Sequence, residues 1–426
     1  MEPFDTFKPK VTALCQNIWH TLPSSAIAIT RMEDAFFHRV ISITITHPPQ
    51  PLHWFHKISN RFLQTFGLDA LTGPESSKPE EFVISIPRRK NYPYLQNGIA
   101  MMFYLNLHSA IKAPRIKFFD LTANNAIGKP YTIQHRIPGK PAQYVYKDLN
   151  TGQRITFARE LGTALSKMMK DRVMSPGTLD PEYITTFPQI ECLECPFRDG
   201  YRAPLPNSPF PTSSIPQTVF SFLETQFKRQ RAYDLSQGVR VNPWSKLWPI
   251  VVSMNEMGLF TDHMYYLTHM DFEPRNIMVD VTSPTTATLS GILDWDDAVF
   301  APVFMHCTPP YWLWDLGYEN GHKSDDVEEA KANDTPADEG LQQVKKAFED
   351  AAGKLYLKYA YTPEYRMART ITRIAITGPE FLTNDYDDIE KTIRKWNTRY
   401  PDKKTRELYE VDSHEECEYD SDEEYN

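Results

Sequence analysis

The stretch LTHMDFEPRNIMVD at residues 267–280 gathers an imidazole, a carboxylate and a carboxamide within eight positions: His269, Asp271 and Asn276. A further carboxylate, Asp294, follows 23 residues after Asp271, with Asp296 two positions on. No Cys or metal-spaced His pair accompanies them. Hard oxygen donors in this number suit Mg²⁺, which keeps waters and shares its coordination sphere with substrate phosphates. The carboxylate left over can accept a hydroxyl proton. A base Asp with an Asn and a second Asp for metal is the parts set of phosphoryl transfer. His269 is expected to organise the loop by hydrogen bonding. An Asx turn closed by Asp271 and Asn276 on themselves is the purely structural alternative.

These side chains need a rigid frame. Tyr265–Leu267 and Ile277–Val279 read as short strands on either side of the loop. A turn at 282–286 leads to a third strand ending in Ile292–Leu293–Asp294–Trp295–Asp296. Upstream, Ile27, Ile29, Val40, Ile41, Ile43 and Ile45 alternate as in two strands joined by a turn near 31–36. Further strands are expected at 81–87, 116–121 and 131–137, with a helix at 97–109. Ile137–Pro138–Gly139–Lys140–Pro141 punctuates the chain like a hinge. Helices are then expected at 151–169, with Thr151 as cap, and at 218–233, 341–359, 363–376 and 388–396. Residues 174–216 hold nine Pro and read as an irregular insert. The string Tyr311–Trp312–Leu313–Trp314 reads as core, with a ring facing a cationic acceptor as the alternative. The expected class is α+β: a β-rich lobe over 1–137, a mainly helical lobe over 138–410, and a disordered tail at 411–426.

The net charge of −9 is a property of that tail. Residues 411–426 carry eight acids and no Lys or Arg, which leaves 47 acids against 46 bases elsewhere. The tail reads as solubilising, with protein docking as the alternative. A second acidic run, 325–339, reads as a surface loop. Bulk charge argues against nucleic-acid binding, and no run is apolar enough for a membrane span. The first residues lack a secretory or transit pattern. Five Cys over 426 residues indicate reduced thiols, hence a cytoplasmic protein. Cys192 and Cys195 form a lone CxxC, read as incidental rather than zinc-binding or redox-active.

The spacing His269-x-Asp271-x-x-x-x-Asn276, followed by Asp294, matches a kinase catalytic loop and its downstream metal residue. With GILDWDDAVFAPVF, PPYWLWD at 309–315 and FVISIPRR, the chain resembles the aminoglycoside phosphotransferase/choline kinase-like family, specifically its fungal branch. The resemblance spans roughly residues 20–400. It implies a bilobed protein-kinase-like fold, ATP and Mg²⁺ as cofactors, Asp271 as base, and Asn276 and Asp294 as metal ligands. It also implies an assisting role for Asp296 and an adenine pocket bordered by Gln134, Arg136 and Ile137. Met270 and Glu273 stand where protein kinases carry Arg and Lys, and Asp296 replaces the glycine of D-F-G. A small-molecule hydroxyl acceptor is therefore expected rather than a protein.

The first lobe departs from the family. The strand position that carries a phosphate-binding Lys or Arg is Ser85, and the Glu partner falls near Gly98. The phosphate-covering turn, 31–37, lacks Gly and carries two acids. Arg88, with Arg89 and Lys90, is the candidate for a migrated cation; Arg31 and Arg39 flank the turn. These departures support a second reading, a catalytically impaired kinase-fold binding or scaffold protein.

Overall fold

The computed structural model describes residues 2–32, 38–47, 78–88, 94–180, 192–193, 214–318, 325–379 and 385–409. The turn expected after Arg31, Arg89 and Lys90, Cys195, most of the Pro-rich insert and the acidic tail lie outside these residues. The chain is α+β, with a sheet in its N-terminal part and helices dominating its C-terminal part. It divides into two compact units, Met1–Leu95 with Pro114–Ile137, and Gln96–Ala113 with Pro138–Asn426.

The first unit is an antiparallel sheet of five strands: β1 Ile27–Arg31, β2 His38–Ile45, β3 Glu80–Pro87, β4 Ile116–Asp120 and β5 Tyr131–His135. Their order is β1-β2-β3-β5-β4. Alternation decides which face is buried. Ile41, Ile43 and Ile45 of β2 and Phe82, Ile84 and Ile86 of β3 point to one face and are almost completely buried. That face is covered by helix α1, Phe4–Ile18, through Phe7, Val11, Leu14 and Cys15. Their spacing of four, three and one is one side of a helix. Each such Ile, withdrawn fully from water, contributes roughly 1.5–3 kcal/mol.

Helix α2, Tyr94–His108, was expected within the first lobe from its place in sequence. From Gln96 onward it belongs to the second unit. Ile99, Ala100, Met101 and Leu105 are fully buried there, and Tyr104 packs edge-on against Phe300 at 5.6 Å.

The second stretch of the second unit begins at the expected hinge, where β6, Lys140–Pro141, pairs with the strand Ile277–Ser283. Gly139 has φ +88°, and a Cβ there would meet the Val279 carbonyl at 2.1 Å, so only Gly fits. Helix α3, Thr151–Met168, is capped by Asn150 in a reciprocal box with Gln153, not by Thr151. Strand β7 is Arg172–Val173, β8 Tyr265–Thr268, β9 Ile277–Ser283, β10 Thr286–Ile292 and β11 Val299–Pro302. They form two three-stranded sheets, β11-β8-β7 and β10-β9-β6. Helices α4 Val219–Ser236 and α5 Pro243–Glu256 precede β8; α6 Asp325–Asn333, α7 Glu339–Tyr361, α8 Pro363–Thr377 and α9 Asp385–Arg399 follow β11. The acidic run read as a loop thus contains helix α6. No helix of the described residues is long and apolar enough to cross a membrane.

Candidate active site

Strand β8 is buried along its whole length and delivers His269 at its end. Met270, at φ 61°, reverses the chain. The loop then closes on itself: Asp271 N–H donates to the His269 carbonyl (2.8 Å), Glu273 N–H to Asp271 (3.0 Å) and Asn276 N–H to Glu273 (2.9 Å). Pro274 opens the single 3-10 turn Pro274–Asn276 and feeds β9.

Asn276 sits at the centre. Its Nδ2 donates to both the carbonyl (3.0 Å) and Oδ2 (2.9 Å) of Asp271. Its own carbonyl accepts the N–H of Leu293 at 2.7 Å. Leu293 returns the link, since its carbonyl lies 2.8 Å from Nε2 of His269. The imidazole is 2% exposed and packs against Trp295 at 4.6 Å. Loop and Asp294 segment therefore form one hydrogen-bonded piece, joined in part through His269. Asp294, exposed and at φ 62°, is the second non-glycine residue at positive φ among the described residues; Met270 is the first. Such backbone is costly for an L-residue and persists only where the surroundings impose it.

Helix α3 holds the β9–β10 hairpin that carries these segments. Asn150 Nδ2 donates to the Pro284 carbonyl (2.7 Å) and Gln153 Nε2 to that of Ser283 (3.0 Å) at the turn. Glu160 accepts the Leu289 N–H at 2.8 Å further along.

Asp271 spends Oδ1 on Arg275, one helical turn later, and Oδ2 on Asn276. Two oxygens carry about four lone-pair sites, so a substrate hydroxyl can still be accepted. Arg275 escaped the sequence reading, although a base at i+4 from a candidate carboxylate was a usable signal. Glu273 meets Arg275 at 3.9 Å and accepts from the Tyr318 hydroxyl. Asn276 commits its N–H groups to Asp271, so its amide oxygen is the atom left for a cation. That oxygen and the Asp294 carboxylate are two hard donors, a set that fits Mg²⁺ when substrate phosphates and water supply the rest. No group of three His, Cys, Asp or Glu side chains placed to hold a metal occurs among the described residues.

Asp296 is 6% exposed. Its carbonyl accepts from Asn97 Nδ2 of α2 at 2.6 Å, and the same Nδ2 reaches the Ala298 carbonyl at 3.2 Å. A Cβ on Gly98 would lie 1.9 Å from Asp296 Oδ1. Asn97 is a second positioning residue that the sequence did not point to.

The remaining candidates belong to the first unit. Gln134, on β5 opposite Val83, donates to Thr132 Oγ1 at 3.0 Å. Arg136 N–H donates to the Glu81 carbonyl at 2.9 Å, and Ile137 follows it, half-buried. Arg88 Nε donates to the His38 carbonyl at 3.0 Å. Ser85 lies mid-strand, between Val40 of β2 and Thr132 of β5. Arg39 is engaged with α1, stacked over Phe7 at 4.5 Å.

Beside Asp271 opens a cavity of about 910 Å³, walled by the end of α3, the 268–275 loop, Met305–Tyr311, α8 and α9. His306 lines it; burial pushes its imidazole down to about 4, and its Nε2 lies 2.9 Å from the Leu165 carbonyl. Of the aromatic string only Tyr311 reaches the cavity. Trp312 packs on Tyr146 and Phe157, and Trp314 on Phe348.

No family model matches the chain, and no curated protein does. Solved structures do resemble it. Aminoglycoside phosphotransferase APH(4)-Ia is 12% identical with a TM-score of 0.42, over 90% of this chain and 95% of that one. The GDP and kanamycin complex of APH(2'')-IIIa is 11% identical with a TM-score of 0.40, over 92% and 98%. The streptomycin–ATP–APH(2'')-IIa ternary complex is 12% identical with a TM-score of 0.38, over 79% and 95%.

Proposed function

We propose that this chain is an ATP- and Mg²⁺-dependent phosphotransferase that moves a γ-phosphoryl group to a small-molecule hydroxyl. Its architecture is read as a bilobed protein-kinase-like fold of the aminoglycoside phosphotransferase/choline kinase-like kind, fungal branch. The observation that carries the reading is the position of Asn276. It donates to the Asp271 carboxylate on one side and accepts from Leu293, the neighbour of Asp294, on the other. A bare Asx turn would satisfy Asp271 and Asn276 without fastening them to a second carboxylate held at φ 62°.

In this reading Asp271 accepts the proton of the acceptor hydroxyl as the oxygen attacks phosphorus. Arg275 and Asn276 hold the carboxylate in place; His269 and Trp295 fix the segment bearing Asp294. Asn276 and Asp294 would hold the metal, which when bound neutralises charge on the phosphates. Asp296 assists by fixing the chain after Asp294 through its backbone bond to Asn97. Gln134, Arg136 and Ile137 are proposed to border the adenine, and Arg88 to be the phosphate-binding cation that Ser85 does not supply. The buried free thiols Cys15 and Cys307 support a cytoplasmic setting.

Labelled ATP offered with a metabolite mixture tests the reaction class. Asp271→Asn should lower phosphate transfer by a factor of about 10² or more while leaving the thermal shift by Mg·ATP in place. Unchanged transfer in that variant would refute Asp271 as the base. The second reading, an impaired kinase-fold scaffold docking through its acidic tail, is favoured by Ser85 and Gly98. It predicts no difference in thermal shift between Mg·ATP and ATP with chelator, since a ligand that does not bind cannot stabilise.

A further inference from the structure

The Asp271 carboxylate has a different neighbour on each oxygen. Oδ2 accepts from Asn276 Nδ2 at 2.9 Å, and Oδ1 accepts from Arg275 Nη2. Arg275 is the middle residue of the turn Pro274–Asn276. Its side chain is 40% exposed and lines the same cavity as Asp271. A guanidinium offers five N–H donors in one plane. Among the described residues Arg275 makes one side-chain hydrogen bond, the one to Asp271. Its Nη1 stands 3.9 Å from Glu273 Oε2, too far for a second.

Holding Asp271 still does not require this side chain. Asn276 Nδ2 already ties down both the carbonyl (3.0 Å) and Oδ2 (2.9 Å) of Asp271. What Asn276 lacks is charge. In the transfer step the acceptor O–H gives its proton to Asp271, and its oxygen forms a bond to the γ-phosphorus. The bond from phosphorus to the β–γ bridging oxygen breaks, and its electron pair leaves with ADP. The Asp271 carboxyl is then neutral, while a guanidinium keeps its proton and its positive charge. The negative charge that faced Arg275 has passed to the transferring phosphoryl group and ADP. An acceptor oxygen lies about 3 Å from its base, and phosphorus about 3–3.5 Å from that oxygen before the bond forms. The phosphoryl oxygens thus come within reach of the guanidinium that bonds Asp271. An attraction that grows as the proton moves lowers the barrier rather than the ground state.

We propose that Arg275 is a catalytic residue whose guanidinium contacts the phosphoryl group in flight. The role rests on the phosphotransferase reading of Asp271, and it is separate from that of Arg88, which is proposed to bind phosphate in the ground state.

The test is calorimetric titration of the full chain with ADP and Mg²⁺, with and without aluminium fluoride, which mimics a phosphoryl group between donor and acceptor. Wild type should bind ADP more tightly when the fluoride is present. Arg275→Gln should reduce that difference about tenfold or more, the worth of a charge-assisted hydrogen bond, and leave affinity for ADP alone unchanged. Arg275→Lys, which keeps the charge, should retain part of it. In an Asp271→Asn background the carboxylate is already neutral, and Arg275→Gln should still weaken the fluoride complex. No further loss in that background would show that Arg275 acts only through Asp271, and overturns the proposal. So does equal weakening of ADP with and without fluoride. With labelled ATP and the metabolite mixture, Arg275→Gln should lower transfer at saturating ATP by a factor of about 10² or more. If wild type and Arg275→Gln transfer phosphate equally, the catalytic role falls and the phosphotransferase stands. If wild type neither transfers phosphate nor distinguishes ADP from its fluoride complex, both fall.

Discussion

Gly98 and the carboxylate of Asp296 share one space. A Cβ on residue 98 would sit 1.9 Å from Asp296 Oδ1 and 2.9 Å from its Cγ. A side chain at position 98 and the carboxylate of Asp296 therefore exclude each other.

The mutual exclusion predicts a coupling. Gly98→Ala alone should destabilise by about 1–3 kcal/mol, the usual cost of overpacking. In an Asp296→Gly background the clash is gone and Ala is the better helix residue by roughly 0.5–1 kcal/mol, so the sign should reverse. Denaturant unfolding of the four proteins gives the cycle. Additive effects would show that Asp296 can swing aside at no cost.

Asp294 makes a different prediction from its backbone. Asp294→Ala and Asp294→Gly both remove the proposed metal carboxylate, so both should abolish phosphate transfer. Only Gly relieves the φ of 62°. The Gly variant should be more stable than the Ala variant by about 1 kcal/mol. Equal unfolding midpoints would mean that the loop relaxes once the carboxylate is gone.

Much of this site could be read from sequence because its parts are local. The loop from His269 to Asn276, the two strands around it and the return to Asp294 lie within about thirty residues, and hydrophobic runs bound each piece. What escaped reading depends on distant partners. Helix α1 carries Pro9 inside it, which argues against a helix locally; it forms because Phe7, Val11 and Leu14 cover a sheet made later in the chain. Helix α6 hides in an acidic run, yet its Lys331 carbonyl accepts from Trp314 Nε1 and its Glu329 meets Lys395 of α9. The cap of α3 falls on Asn150 rather than Thr151 because Asn150 also grips the hairpin turn at Pro284.

Arg373 should be structural. Its guanidinium meets two carboxylates at the start of α9 whose side chains are only 3% and 2% exposed. Arg373→Met keeps much of the side-chain volume but removes the cation facing both acids, and removing one partner of a buried pair costs about 3–5 kcal/mol. Adding Asp385→Asn and Asp388→Asn to that variant should return a large part of the loss. Chemical denaturation of the single and triple variants decides it, and a mild effect of Arg373→Met would show that water reaches these carboxylates.

His306 should make stability depend on pH. Burial holds its imidazole neutral in the folded chain, with a pKa of about 4 against 6.5 when exposed. Between those values the unfolded chain takes up a proton that the folded chain refuses, so unfolding is favoured as pH falls. The contribution is complete above about pH 6.5, shrinks by about 1.4 kcal/mol per unit below it, and levels off near pH 4 after a loss of about 3 kcal/mol. His306→Gln cannot take up that proton. The difference in unfolding free energy between wild type and this variant should therefore shift by about 2 kcal/mol between about pH 7.5 and pH 5, against the wild type at the lower pH. A difference that stays constant would mean that His306 accepts its proton without leaving the fold.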